Sequence, residues 1–329
     1  MEYRQLGQTD MQVSVIALGC WPFAGGAVWG EQDDAVSVAT VHAALDAGIN
    51  FFDTAEGYEN GHSERVLGRG LQGRRQEAII ATKVSGAHLA KDDVIKACEQ
   101  SLANLQTDYI DLYQIHWPNW NVPLAETVAA LQQLKQQGKI RAIGVSNFAV
   151  QDLGEMVALS ECTTDQLPYS LLWRVIEREI QPLCLEKTVG LICYSPLAQG
   201  LLTGRYATAD EVPTGLARTR LYANSRPTAG HTDPGCEAEV FAALQEVQRI
   251  ADGLGQPMAT VALAWVKQQP GITALLVGAR KPEELQWNLP VLDLTLSADV
   301  LAALASATAP VKAKLGNNPD MWMSTSRMR

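Results

Sequence analysis

The chain has 329 residues, 47% of them hydrophobic, so it can bury a sizeable core and is not a disordered chain. Its formal net charge of −10 comes without a basic stripe, which excludes nucleic acid as the main partner. A small anionic ligand is not excluded, because it needs only a local positive patch. The six cysteines form no C-x-x-C pair and no Cys/His ligand spacing, so they read as reduced thiols and no metal site is expected. The opening MEYRQLGQTDMQV lacks a basic stretch followed by an apolar run, and no stretch of about 18 apolar residues occurs. A cytoplasmic protein away from membranes is the expectation.

In chain order, the first elements are two short strands, 3–6 and 11–15, joined by 7–10 as a hairpin. A strand at 15–18 precedes a helix at 33–47, with Asp33 before its first apolar positions and Gly48 after its last. The same alternation then repeats: strand 50–53 and helix 62–68, strand 78–83 and helix 91–104, strand 110–115 and helix 124–137. Strand 142–145 and helix 150–160 follow, then strand 164–167 and helix 177–187. Strand 190–194 leads into a Gly/Pro/Thr-rich stretch, 200–235, before helices at 238–253 and 258–269. A loop of that length inside a compact unit is usually functional. Strand 273–277 and helix 282–288 close the series, and a tail opens with a helix at 298–307.

Eight strand–helix repeats without hairpin signals between them predict a closed (β/α)8 TIM barrel. Residues 1–329 are expected as one domain, with the hairpin on the barrel floor. An open doubly wound sheet would carry G-x-G-x-x-G after its first strand, where this chain has GCWPFAGG.

In such a barrel chemistry sits where strands end. Asp53 ends the second strand, with Tyr58 five residues on in DTAEGYENG; Lys83 ends the third; His116 follows the fourth in LYQIHW. Each alone has an ordinary reading: a turn cap, a loop aromatic, a solvated strand end, a half-buried imidazole. Together they make a carbonyl-reducing set. A carbonyl oxygen gains charge as hydride reaches its carbon and needs a positioned proton donor. A free tyrosine is a poor acid at neutral pH, and a nearby ammonium is expected to lower its pKa. Lys83 is placed to do that, Asp53 to hold Lys83, and His116 to donate a hydrogen bond to the substrate oxygen.

The stretches INFFDTAEGY, IIATK, DLYQIHWP, IRAIGVSNF, YSPLAQGLLTGRY and GARKPEELQWN, in this order, resemble the aldo-keto reductase family over almost the whole chain. The bacterial branch that also resembles potassium channel β subunits is the nearest in look. The resemblance implies NAD(P)H-dependent, reversible reduction of aldehydes and ketones, with Asp53, Tyr58, Lys83 and His116 as the catalytic tetrad. It implies that Ser146, Asn147 and Gln166 meet the nicotinamide carboxamide and that Tyr194 stacks on the ring. Ser195, Pro196, Leu197, Gln199 and Gly200 match the loop along the pyrophosphate, with Arg205 near the phosphates. Gly278, Ala279, Arg280 and Asn288 match the adenosine end, where Glu284 also falls, and Trp21 lies near both cofactor and substrate. For Ser146 and Asn147 a helix cap before residue 150 is the competing reading.

Glu284 and Trp287 depart from the family pattern. A carboxylate near the ribose suits a 2′-hydroxyl, whereas Arg280 suits a 2′-phosphate, with Arg218 and Arg220 of the long loop as further candidates. NADP (as NADPH) is the expected cofactor, with NAD or dual use open. Trp21, Phe23, Trp29 and Trp117, with Trp173 as a further candidate, are expected to line an apolar pocket for a small carbonyl substrate, and a monomer is expected. The competing functions are a cofactor-binding regulatory subunit with little turnover and a metal-dependent hydrolase, the latter disfavoured by the lack of a ligand cluster.

Overall fold

The computed structural model describes residues 1–329, the side chains of Ala27 and Val28 excepted. Strands β1 (Tyr3–Gln5) and β2 (Gln12–Ser14) form an antiparallel hairpin, with Tyr3 opposite Ser14. Eight strands follow: β3 (Ile16–Gly19), β4 (Phe51–Asp53), β5 (Ile79–Val84), β6 (Ile110–Ile115), β7 (Ile140–Ser146), β8 (Thr164–Pro168), β9 (Gly190–Tyr194) and β10 (Ile272–Gly278). All pair in parallel, each with its neighbour in sequence, and β10 pairs with both β9 and β3 to close the barrel. This is the expected (β/α)8 barrel, with helices covering its outside.

Closure follows from a two-residue period. Side chains of one parity point inward: Ala17, Phe51, Ala81, Leu112, Ala142, Ile192 and Ala274 form one buried interior cluster. Small alanines from β3, β5, β7 and β10 face large residues from β4, β6 and β9, which lets the interior fill without voids. The hairpin finishes the packing, since Leu6, Met11 and Val13 join the same cluster and seal the floor. The opposite parity, with Leu18, Phe52, Ile80, Tyr113 and Ile143, packs against the helices.

Several boundaries differ from expectation. The helix expected over 177–187 starts only at Ile180, after a separate 3-10 turn over Val175–Glu177. Glu177 is held there by Arg174, Tyr169 and Lys312, contacts remote from its own helix pattern. In the tail a further helix, Ala309–Leu315, follows Ala298–Ala307 directly. Pro310 lies in its first turn, where a missing N–H costs nothing. The helix after β7, Val150–Leu159, takes Ala149 at its N-cap with no side-chain cap, so neither Ser146 nor Asn147 caps it.

Candidate active site

The inward parity continues to the top of the barrel, and there it changes from apolar to polar. Asp53 lies two residues after Phe51, Lys83 two after Ala81, Gln114 and His116 two and four after Leu112, and Ser146 four after Ala142. Tyr194 stands two after Ile192, and Gly278 four after Ala274. One alternation thus delivers the floor, the core and the site.

Lys83 is fully buried and Asp53 nearly so. Lys83 Nζ donates to Asp53 Oδ1 at 2.6 Å and to the Thr54 carbonyl at 2.8 Å, and it lies 3.4 Å from Tyr58 Oη. The second Asp53 oxygen accepts from Gln166 Nε2 at 2.8 Å and from Gln114 Nε2 at 3.4 Å. The ion pair is therefore hydrogen-bonded on both sides, the condition under which a buried pair is tolerated. Gln114 was not among the expected site residues, although a polar residue inside an apolar strand, two positions before His116, signals it.

The Tyr58 ring packs at 81° against His116, with centroids 5.8 Å apart, and stacks on Trp21 at 5.7 Å and 23°. Trp29 meets Trp21 edge-on at 5.5 Å. Burial pushes the Lys83 ammonium down, but the Asp53 charge, then Tyr58, outweighs it, and the pKa ends above its usual value. For Tyr58, burial pushes the phenol up; Lys83 pulls it down without cancelling the rise. The expected lowering by Lys83 is thus outweighed, chiefly by burial and to a smaller extent by the nearby Asp53 charge. Burial, then Lys83, depresses His116 to about 3, so its imidazole is neutral near pH 7. Among the described residues neither of its ring nitrogens has a hydrogen-bond partner.

Around this centre Ser146 Oγ donates to the Gln166 carbonyl at 2.9 Å, and Asn147 Nδ2 donates to the His116 carbonyl at 3.0 Å. Tyr194 donates its hydroxyl to Asn147 Oδ1 at 2.8 Å, which fixes its ring. After β9 the backbone turns left-handed at Ser195 (φ 52), Ala198 (φ 48), Gln199 (φ 55) and Gly200 (φ 95). Such φ values are rare outside glycine and cluster at functional sites. Pro196 and Leu197 lie within this turn; Gln199 Oε1 is buried there with no partner among the described residues. Arg205 is exposed beside Tyr206 and meets no carboxylate among the described residues.

At the end of β10, Gly278 is exposed while Ala279 is fully buried, so Gly278 is the residue of this turn that a ligand can reach. Arg280 donates Nε to Gln32 Oε1 at 2.9 Å and also reaches the Glu31 carbonyl. Both acceptors are uncharged. Glu284 spends a carboxylate oxygen on the Arg280 backbone N–H at 2.7 Å, and Asn288 Nδ2 donates to the Glu284 carbonyl at 3.0 Å.

Three expectations are corrected. Phe23 is 0% exposed and packs in the core instead of lining a pocket. Trp173 is buried in the same way. Trp117, by contrast, stays half-buried, with the Arg327 guanidinium stacked on its ring 3.8 Å from the centroid. Arg220 is not free for a phosphate: it pairs with Asp233 and donates to the carbonyls of Leu315, Asn318 and Asp320.

The family model of the Aldo/keto reductase family matches residues 15–309. The chain belongs to the aldo/keto reductase family. Among relatives, the aldo-keto reductase YhdN of Bacillus subtilis is 34% identical over 314 residues, covering 91% of each chain. An NADH-specific methylglyoxal reductase of Escherichia coli is 33% identical, covering 89% of this chain and 94% of its own. A crystal structure of an aldo-keto reductase from Klebsiella pneumoniae in complex with NADPH superposes with a TM-score of 0.73 at 30% identity, covering 92% of this chain and 93% of that one. The family is one of oxidoreductases that act on small carbonyl substrates, and the TIM barrel found here is its fold. Among the described residues no helix is long and apolar enough to cross a membrane, and no group of metal-ligating side chains occurs.

Proposed function

We propose that the protein reduces aldehydes or ketones to alcohols with NADPH, with Tyr58 as proton donor. The observation that carries this reading is the chain from the buried Asp53–Lys83 pair to the half-buried Tyr58, with Lys83 Nζ 2.6 Å from the carboxylate and 3.4 Å from the phenol oxygen.

The residues at the rim suit a nicotinamide dinucleotide. The anchored Tyr194 ring offers a stacking face, and the side-chain Oε1 of Gln166 has no protein donor among the described residues while its Nε2 serves Asp53. The orphaned Gln199 Oε1 and the left-handed turn around it suit contact with a polar ligand. Arg205 and Arg280 carry charges that no carboxylate meets among the described residues, which suits phosphates. Arg280 favours the 2′-phosphate form, since Glu284 is engaged by a backbone N–H and does not pair with it.

When bound, the nicotinamide supplies the hydride that the carbonyl carbon receives. Tyr58 gives its proton to the carbonyl oxygen, which becomes the alcohol hydroxyl, and the phenolate left behind sits against the Lys83 ammonium. Lys83 is held charged and in place by Asp53 and the Thr54 carbonyl. Neutral His116 can donate one ring N–H to the same oxygen and orient it without competing for the proton.

The test is Tyr58→Phe. Turnover of an aromatic aldehyde should fall by about 10²–10⁴-fold while NADPH binding, read by its fluorescence, stays within about twofold. Turnover near wild type would remove Tyr58 from the role. A wild-type protein that binds NADPH yet oxidises it with no member of an aldehyde panel would instead be a cofactor-binding regulatory subunit.

A further inference from the structure

The long 200–235 stretch brings one cation to the site in an unusual state. Arg218 has its guanidinium carbon 5.4 Å from the Trp21 ring and 4.9 Å from the Trp322 ring. Its Nε is buried with no acceptor, and among the described residues its side chain makes no hydrogen bond or ion pair. The neighbouring charges differ in this respect. Arg220 is paired with Asp233, Arg327 with Asp320, and Lys83 with Asp53. Burial without an anion pushes the Arg218 guanidinium down from its usual pKa.

Indole faces attract a cation but accept few of the five N–H bonds that a guanidinium can donate. A half-buried guanidinium without an acceptor therefore lacks a partner that the protein does not supply. Its position says where that partner would sit. Trp21, which Arg218 approaches, is the ring stacked on Tyr58. The unpaired cation and the proposed proton donor thus lie against the same indole.

We infer that Arg218 is a specificity residue that binds an anionic group, a carboxylate or phosphate, carried by the substrate while its carbonyl lies at Tyr58. This rests on the reductase reading and names its substrate class: carbonyl compounds with an oxyanion on the same small molecule. The flanking Trp21 and Trp322 rings give such a molecule apolar walls, and the planar fork of Arg218 matches a carboxylate or phosphate edge. The net charge of −10 is no obstacle, because one local guanidinium supplies the attraction.

The experiment compares 4-carboxybenzaldehyde with its neutral methyl ester, in wild type, Arg218→Met and Arg218→Lys. Both kcat/KM with NADPH and calorimetric binding to the protein–NADP⁺ complex are measured. Wild type should favour the acid over the ester by about 10- to 100-fold, the size of one charge-assisted hydrogen-bonded pair. Arg218→Met should erase that ratio mainly through KM, and Arg218→Lys should restore part of it. An acid-to-ester ratio near one in wild type overturns the inference. So does an Arg218→Met variant that keeps the ratio but binds NADPH more than tenfold more weakly, since the guanidinium then serves the cofactor's phosphates. If wild type reduces neither aldehyde yet binds the acid through Arg218, the anion site stands and the reductase reading falls. If it neither reduces nor binds them, both fall.

Discussion

Lys83 shows how a single buried charge can hold a site together. It is fully buried, and Asp53, itself 3% exposed, is its only carboxylate partner among the described residues. Replacing it with methionine keeps the volume but leaves Asp53 facing only the amides of Gln166 and Gln114. Lys83→Met should lower unfolding free energy by about 3–5 kcal/mol, the usual cost of stranding a buried charge. Denaturant unfolding at pH 7 checks this. His116 makes a second prediction, about pH. Its pKa is depressed to about 3 in the folded state, against about 6.5 in an unfolded chain. A depressed pKa means that the unfolded chain binds the proton more readily. The stability from keeping His116 neutral is therefore fully present above about 6.5 and is lost as pH falls toward 3, by up to about 1.4 kcal/mol per unit. Between pH 7 and 5 the urea midpoint should fall more in wild type than in His116→Gln. Equal falls would show that other groups control the acid limb.

At the scale of elements, the same substitution has opposite signs in two helices. Gly68 lies in the helix His62–Gly70, where an added Cβ would stand 2.6 Å from the Leu105 carbonyl oxygen at the end of the next helix. Gly154 lies inside the helix Val150–Leu159, and a Cβ there meets nothing within 4 Å. Gly68→Ala should destabilise by about 1–3 kcal/mol, because backbone must move to admit the methyl. Gly154→Ala should stabilise by about 0.5–1 kcal/mol through helix propensity and a less free unfolded chain. Thermal midpoints of the two variants should shift in opposite directions. Both glycines look alike as residues inside amphipathic patterns; only the neighbouring helix separates them.

At the scale of the whole molecule, the tail ties the C-terminal side of the chain across the barrel mouth. Asp320 is fully buried and accepts from the Trp322 and Arg327 backbone N–H groups and from the Arg327 guanidinium. Arg327 in turn stacks on Trp117, and the Arg329 backbone oxygen accepts from Gln151 and Asp152. Arg220 clamps the other end of this segment from the long loop. Asp320→Ala should release the segment, with amide exchange in residues 320–329 accelerating by more than about tenfold while exchange in the barrel strands stays unchanged. Retained protection in the tail would show that Arg220 and the helix contact suffice without Asp320.

The sequence by itself determined the barrel and the positions of its polar rim. Eight short apolar runs, each followed by a helical pattern, leave a closed parallel sheet as the consistent solution, and their ends then put Asp53, Lys83 and His116 at its mouth. These signals are local, so they can be read along the chain. The tertiary structure alone decided what depends on residues far apart in sequence. It placed Phe23 in the core, tied Arg220 to the tail, stacked Arg327 on Trp117, and let burial outweigh Lys83 at Tyr58. It also left Arg218 unpaired between two indoles. The long loop and the tail carry no periodic pattern, so nothing local sets their course. Their conformation comes from a few buried charges, and a charge shows its partner only once the chain has folded.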